Sequence, residues 1–320
     1  MSPETWRVVF SSTGDLVRTA TEVRLDNQRN ALPMRATRLL LRAMRSALDS
    51  LSVVLLPSNC RVCERPLLRL ARIPVCAPCI ASLERAHVTA CSICGEALDL
   101  ASPEAERICP LCRRAHPEFD FAVSFGAYDG ALRKLIHLLK YEQLRSAANV
   151  LGAQIASVIA ERDLSGTEPM LLIPVPLHRT KRRQRGFNQS ELIAQAAWRL
   201  LDRSRFEVHI GNLQRVRATV SQTGLTRHQR RENVRGAFVV GNPAALRDRR
   251  VVLIDDVYTT GTTLNECARV VRKAGAPEVI VATVARVYRE QIGLRIVSTN
   301  VHGASFDTQE EQAAVRAVAG

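Results

Sequence analysis

Thirteen consecutive residues, 251–263, read VVLIDDVYTTGTT and concentrate groups that can bind a phosphorylated sugar. Four apolar residues in a row are the pattern of a strand buried on both faces. Two adjacent carboxylates, Asp255 and Asp256, stand at its C-terminal end, which is where open α/β sheets bind ligands. Thr259, Thr260, Gly261, Thr262 and Thr263 then make a hydroxyl-rich loop that runs into a helix N-terminus. Backbone N–H groups, hydroxyls and the positive end of the helix dipole converge there, and together they suit a phosphate. A sugar with a 5-phosphate satisfies both halves, its hydroxyls on the acids and its phosphate in the loop. Taken singly, the acids read as a turn and the threonines as helix caps; their contiguity with a buried strand favours a site. None of the four lysines follows a glycine, so a Walker A loop is excluded, and no GxGxxG supports a dinucleotide fold.

The second chemical feature is sulfur. Eight of the nine cysteines form four CxxC pairs: Cys60/Cys63, Cys76/Cys79, Cys91/Cys94 and Cys109/Cys112. A CxxC turn presents two thiolates on one side of a tight loop, and two such turns complete a tetrahedral four-sulfur site for Zn2+. Eight ligands suffice for one or two structural ions, with either adjacent or interleaved pairing open. A redox CxxC would be single and would open a helix after a strand. Pro57, Pro66, Pro74, Pro78, Gly95, Pro103 and Pro110 accompany the turns, and few apolar residues lie between them. Such a segment takes its folding energy from bound metal. The ninth cysteine, Cys267, falls among Ala268, Val270 and Val271 and reads as a buried small hydrophobe.

These groups need elements to hold them. An alternating run at 121–128 predicts a strand, and Asp129 caps a helix carrying Leu132, Leu135, Ile136 and Leu139. A helix at 146–161, an apolar run at 171–175, a helix at 189–201 and a brief strand at 238–240 follow. After the strand at 251–254 come a helix at 262–273 and a strand at 279–284. Strand and helix in alternation predict a parallel sheet with helices on its faces. The expected organisation is an N-terminal extension and helix (1–56), a double zinc-ribbon module (57–116), an α/β domain (117–290) and a tail (291–320). Within the first segment, 35–56 has apolar residues at helical spacing, and a native start at Met34 is an alternative reading.

Composition sets the outer limits. The 320 residues are 46% hydrophobic and 24% charged, ordinary for a chain that buries a core. No apolar run approaches the roughly 18 residues of a membrane span. Glu4, Arg7 and Asp15 interrupt any signal-peptide core, so a cytoplasmic location is expected. The net charge is +14, and 17 Lys/Arg against 5 Asp/Glu in 178–250 account for most of it. Only four of the basic residues are Lys, and Arg is the better residue for bidentate phosphate contacts. A charge run is often only a solvated face; this much excess in under a quarter of the chain favours an anion-binding one.

The 251–263 stretch is similar to the signature of type I phosphoribosyltransferases, which bind 5-phosphoribosyl 1-pyrophosphate (PRPP) with Mg2+. Three flanking features, IPVPLHRTKRRQRGFNQ (173–189), RVRATVSQTGLTRHQRRENVRGAF (215–238) and the upstream four-CxxC module, resemble the ComF family of competence protein ComFC and GntX-type proteins. The resemblance spans roughly 55–285. It implies a Rossmann-like parallel sheet with a small N-terminal zinc-ribbon module of four-cysteine sites, ribose hydroxyls on Asp255 and Asp256, and the 5-phosphate on 259–263. It places the loop after Pro176 toward the pyrophosphate, with Lys181, Arg185 and Asn188 on the anion side. Arg217, Gln222, Arg230 and Asn233 match a hood over the site. Where 6-oxopurine enzymes carry a third carboxylate three residues after the second acid, this chain has Thr259, which argues against purine salvage.

Three functions follow from the resemblance: a PRPP-dependent transferase with an unknown acceptor, a factor for natural transformation that binds single-stranded DNA, and a PRPP-sensing regulator. The basic segment and the cysteine module support the second, although 178–250 holds only Phe187, Trp198, Phe206 and Phe238 for base stacking. The regulator ranks last because no helix-turn-helix segment accompanies the domain.

Overall fold

A computed structural model describes residues 58–67, 73–86, 88–98, 107–162, 168–219 and 227–288. The helix expected at 35–56, the question of Met34, the tail from 291 and Gln222 lie outside the described residues.

Five strands make one parallel sheet in the order β1-β7-β6-β2-β3: β1 Phe121–Ala127, β2 Met170–Pro174, β3 Phe206–Val208, β6 Val251–Tyr258 and β7 Val279–Arg286. The central pair β6 and β7 runs in register from Val251 opposite Val279 to Tyr258 opposite Arg286. Their Val- and Ile-rich sequences suit strands covered on both faces. Between β3 and β6 a small antiparallel ribbon, β4 Leu213–Arg215 with β5 Phe238–Val240, stands outside the main sheet.

Alternation along the strands assigns each face its helices. Val252, Ile254, Ile280 and Ala282 point into one core with α3 Gly130–Lys140, α4 Ala147–Ala160 and α6 Gln189–Trp198. Val251, Leu253, Val279 and Val281 point into the other, with α8 Thr262–Lys273 and Val234 of α7 Arg227–Val234. The remaining helices are short: α1 Ala77–Ala81, α2 Pro110–Arg114 and α5 Arg179–Arg185. Asp129 caps α3 as expected, accepting from the Gly130 N–H at 2.7 Å. Where α4 crosses α6, a Cβ at Gly152 would lie 2.5 Å from the Ala196 methyl. Only glycine permits that approach.

The expected boundaries shift in one place that matters. The strand predicted to stop at Ile254 continues to Tyr258, so the acid pair lies within β6. Ladder bonds to β7 persist beyond the acids, an effect of the neighbouring strand that apolar patterning does not register.

The cysteine segment is a tandem repeat. Each half contains a CxxC turn closed by an amide-to-carbonyl bond, Cys60 to Arg65 at 2.8 Å and Cys91 to Glu96 at 2.7 Å. Each has an isolated bridge, Asn59 with Pro66 and Ala90 with Ala97. The residue after the second cysteine is left-handed in both, Glu64 at φ 61° and Gly95 at φ 75°. Each second CxxC opens a short helix with proline in its first turn, α1 after Cys76 and α2 after Cys109. The two copies join opposite cores. Cys60, Leu67, Val75 and Cys79 belong to the α3–α4 side, and Cys91, Cys94, Leu98, Cys109 and Cys112 to the α8 side. The outer edge of β1 is met by Ala86, from the chain between the copies, whose N–H donates to Phe125 O, and by Ile93 of the second CxxC turn, whose O accepts from Ala122 N–H. That covers a sheet edge that would otherwise be open.

Candidate functional site

Spacing left the pairing of the CxxC turns open, and the fold resolves it as adjacent. Cys60, Cys63, Cys76 and Cys79 form one cluster, Cys91, Cys94, Cys109 and Cys112 the other, and in each the four sulfurs lie within 4.8 Å of one another. Contacts across the turns, 3.6 Å for Cys63–Cys76 and 3.7 Å for Cys94–Cys109, are far beyond a disulfide bond, and the cysteines are free. Backbone N–H groups point at the sulfurs in matching fashion, Cys76 to Cys60 Sγ and Cys109 to Cys91 Sγ, each at 3.3 Å. Four soft donors with N–H groups on their sulfurs fit one metal ion per cluster.

At the C-terminal half of β6, Asp256 is 4% exposed and its Oδ1 accepts from Lys140 Nζ at 2.8 Å. Its other oxygen, Oδ2, is buried with no partner. Asp255 takes the Ser190 hydroxyl at 2.8 Å and the Asp256 N–H at 2.9 Å, both on Oδ1. Enclosure by the surrounding chain, and after it the Asp256 charge, push the Asp255 pKa up to about 7 against the pull of Lys140 and Ser190. Two carboxylates side by side, one oxygen lacking a donor, are prepared for hydroxyl groups.

The loop that follows is shaped by Gly261, at φ +73°, which is the N-cap of α8. A Cβ there would collide with Tyr258 Oη, so the glycine is required both for its φ and for its packing. Thr260 and Thr262 share a hydrogen bond of 2.9 Å between their hydroxyls. Thr259, Thr260, Thr262 and Thr263 stay partly open to solvent around the start of a twelve-residue helix. This geometry agrees with anion binding at a helix N-terminus.

The other predicted residues divide. Lys181 and Arg185 sit on α5, which has no buried residue. Arg185 donates to Gln189 Oε1 at 3.1 Å and lies 5.5 Å over the Tyr141 ring. Asn188 is 1% exposed, and both its polar ends are used within the chain. Its Nδ2 donates to Val175 O at 3.0 Å, and its Oδ1 accepts from Ser190 N–H at 3.2 Å. It therefore ties the 175–188 loop to the first turn of α6 rather than presenting a side chain to a cleft. Arg217 is exposed and clamps the end of α7, donating to Asn233 O at 3.0 Å and Arg235 O at 2.7 Å. Arg230, on α7, is 3% exposed, and enclosure lowers its pKa. Cys267 is fully buried on α8.

Lys140, Ser190 and Arg215 also reach the site, and no motif in the sequence marks them. Lys140 ends α3, more than a hundred residues before Asp256; its only sequence signal is the scarcity of lysine. Ser190 follows Asn188 by two positions and reads as an ordinary first-turn residue. Arg215 ends β4, lies 5.4 Å over Phe238 and is influenced by the Asp255 charge. Between β4 and the loop leading into α5 a cleft of about 520 Å3 opens, lined by Leu177, Arg179, Arg182, Gln214 and Arg215 among others. Its one acid, Glu191, is held by both terminal nitrogens of Arg182 at 3.1 and 3.2 Å.

A five-stranded parallel sheet, paired acids on a central strand and a threonine loop opening the next helix define the phosphoribosyltransferase class of fold. The model of the phosphoribosyl transferase domain matches residues 200–309. The chain is 32% identical to competence protein F of Haemophilus influenzae over 229 residues, covering 68% of this chain and 93% of that protein. It is 32% identical to DNA utilization protein YhgH of Escherichia coli O157:H7, over 72% of this chain and 97% of that one. Competence protein ComFC of Bacillus subtilis is 22% identical over 63% of this chain and 79% of its own length. The chain belongs to the ComF family of competence proteins. Among the described residues no helix is long and apolar enough to cross a membrane.

Proposed function

We propose that this chain binds PRPP with Mg2+ at the end of β6 and acts in the uptake or use of single-stranded DNA. The observation that carries the first half is the unpartnered Oδ2 of Asp256 beside Asp255, one strand-end away from the Gly261 loop. In this reading Asp255 and Asp256 accept hydrogen bonds from the ribose hydroxyls, and loop 259–263 donates N–H and O–H groups to the 5-phosphate. Lys181 and Arg185 supply positive charge on the pyrophosphate side. When bound with PRPP, Mg2+ would supply charge neutralisation on the pyrophosphate. Asp255 and Asp256 would face the ribose and stabilise the positive character it gains as the C1–O bond to pyrophosphate breaks and a bond from C1 to the acceptor forms. A Zn2+ ion in each four-cysteine cluster serves a structural role.

The acceptor class is unassigned, and a transferase with an unidentified acceptor is compatible with the same pocket. The DNA half is supported by the names of the relatives and by one local feature. Tyr141 is 53% exposed and is flanked by Arg185, while α5 carries five cations in seven residues. An exposed ring beside a cationic helix suits a base with its phosphates.

The test is thermal. Millimolar PRPP with Mg2+ should raise the melting temperature of the parent chain, and Asp255→Asn with Asp256→Asn should abolish the rise; no shift in the parent would refute the reading. Single-stranded DNA should bind with an affinity that falls steeply with salt and weakens in Tyr141→Ala. Salt-independent binding would exclude the electrostatic account.

A further inference from the structure

β7 ends on a charge that the sugar-phosphate site does not use. Arg286 is 2% exposed. Its Nη1 donates to the carbonyl of Cys94 at 2.5 Å and its Nη2 to Glu96 Oε2 at 2.8 Å. Its guanidinium carbon stands 4.1 Å from the centre of the Tyr258 ring. Cys94 belongs to the second four-cysteine cluster, and Glu96 closes the same turn by accepting from Cys91 N–H. Tyr258 is the last residue of β6, and its hydroxyl occupies the space where a Cβ on Gly261 would stand. Phe119 meets its ring edge-on at 6.3 Å, within the same core as the second cluster. A continuous set of contacts therefore runs from a metal-binding turn through Arg286 and Tyr258 to the left-handed glycine of the anion loop. The first cluster is held differently. Its cations are the exposed Arg65, which donates to Cys63 Sγ at 3.4 Å, and Lys134 of α3, which donates to Val62 O at 2.8 Å; neither touches β7 or the 259–263 loop.

We propose that Arg286 is a positioning residue that makes the shape of loop 259–263 depend on metal in the second four-cysteine cluster and not in the first. The inference rests on that loop being the phosphate site. When the second cluster is empty, the turn carrying Cys94 and Glu96 loosens and a buried guanidinium loses its acceptors. Arg286 then leaves the Tyr258 ring to find water, and the floor beneath Gly261 goes with it. By linkage, phosphate held in the loop stabilises metal in the second cluster by the same factor.

Amide hydrogen exchange on the full-length, metal-loaded chain tests this. Arg286→Met with both metals still bound should exchange its 259–264 amides at least ten-fold faster while α4 and α6 stay protected. Arg286→Lys should recover part of the protection, because an ammonium still pairs with Glu96, and Lys134→Met should leave the loop as in the parent. Cys94→Ser should open the loop and Cys63→Ser should not. Parent-like loop protection in Arg286→Met with two metals bound overturns the proposal. So does equal opening by the two cysteine variants. Should Arg286→Met fail to fold, the unaltered chain decides through chelator-driven metal release with and without saturating ribose 5-phosphate. One of the two equivalents should leave at least three-fold more slowly; equal effects on both, or on neither, overturn the coupling. Failure of ribose 5-phosphate to bind at all counts against the phosphate-site reading alone, and the exchange measurement still judges Arg286.

Discussion

The cysteine repeat and the parallel sheet reach a defined structure by opposite means. Each four-cysteine unit closes within about 20 residues, from Cys60 to Cys79 and from Cys91 to Cys112. Few apolar residues lie between its cysteines, and its four sulfurs are grouped so that they could hold a metal ion that would add stability. The sheet is built from contacts distant in sequence: β1 pairs with β7, and β2 with β6. Its stability is buried apolar surface, and its chemistry sits where that burial ends. The local cysteine turns and the non-local sheet thus meet along β1 and at Arg286. The difference teaches where each part should be vulnerable: the cysteine unit to a chelator if its clusters hold metal, the sheet to changes in its core or charges.

Chelation is the strongest way to break that contrast. A chelator at neutral pH is expected to make the 58–114 region protease-sensitive while the helices on the sheet keep most of the far-ultraviolet signal; full protease resistance without metal would overturn it. Next in size is Lys140→Met. The side chains of Lys140 and Asp256 are only 16% and 6% exposed, so removing the cation strands a buried carboxylate. A loss of about 3 kcal/mol is expected in denaturant unfolding, with a smaller loss for Asp256→Asn, which removes the charge itself. Gly261→Ala should cost about 1–3 kcal/mol and weaken phosphate binding, because the new methyl meets Tyr258 in a left-handed backbone.

The smallest expected effect is on pH. Asp255 has a folded pKa near 7, above its unfolded value, so its protonated form is favoured by folding. That contribution is fully present below the unfolded pKa and is lost as pH rises through 7. The melting temperature of the free protein should therefore fall modestly from pH 5 to pH 8, and Asp255→Asn should flatten the fall. Ribose hydroxyls prefer the ionised acid, so sugar-phosphate affinity should rise over the same range by no more than about ten-fold per pH unit. Calorimetry in two buffers would register the released proton; affinity independent of pH in the parent chain would contradict the assignment.

The legible part of the molecule follows from locality. The CxxC turns, the Asp129 cap and the 262–273 helix are set by neighbours within a few positions, and they stand where spacing and capping chemistry place them. β3, β4, α5 and α7 carry no pattern in the sequence that marks them as elements. Two are three-residue strands, and α5 and α7 are dominated by charge with little apolar periodicity. Asn188 looked from its type like an anion ligand, and tertiary structure turned it into a cap and a strut. Ser190 and Lys140 carry no pattern, because a bond from a helix to an acid on a strand distant in sequence leaves no trace in local sequence.

By itself the order of residues determined four CxxC turns, an alternating α/β body and a glycine-centred threonine loop beside two acids. These follow from spacing, periodicity and the backbone freedom of glycine. Tertiary structure alone decided which cysteine pairs share a site, which acid oxygen lacks a donor, and that Arg286 joins one cluster to the loop. Such choices depend on distances between atoms far apart along the chain, and only the packing of the strands brings those atoms together.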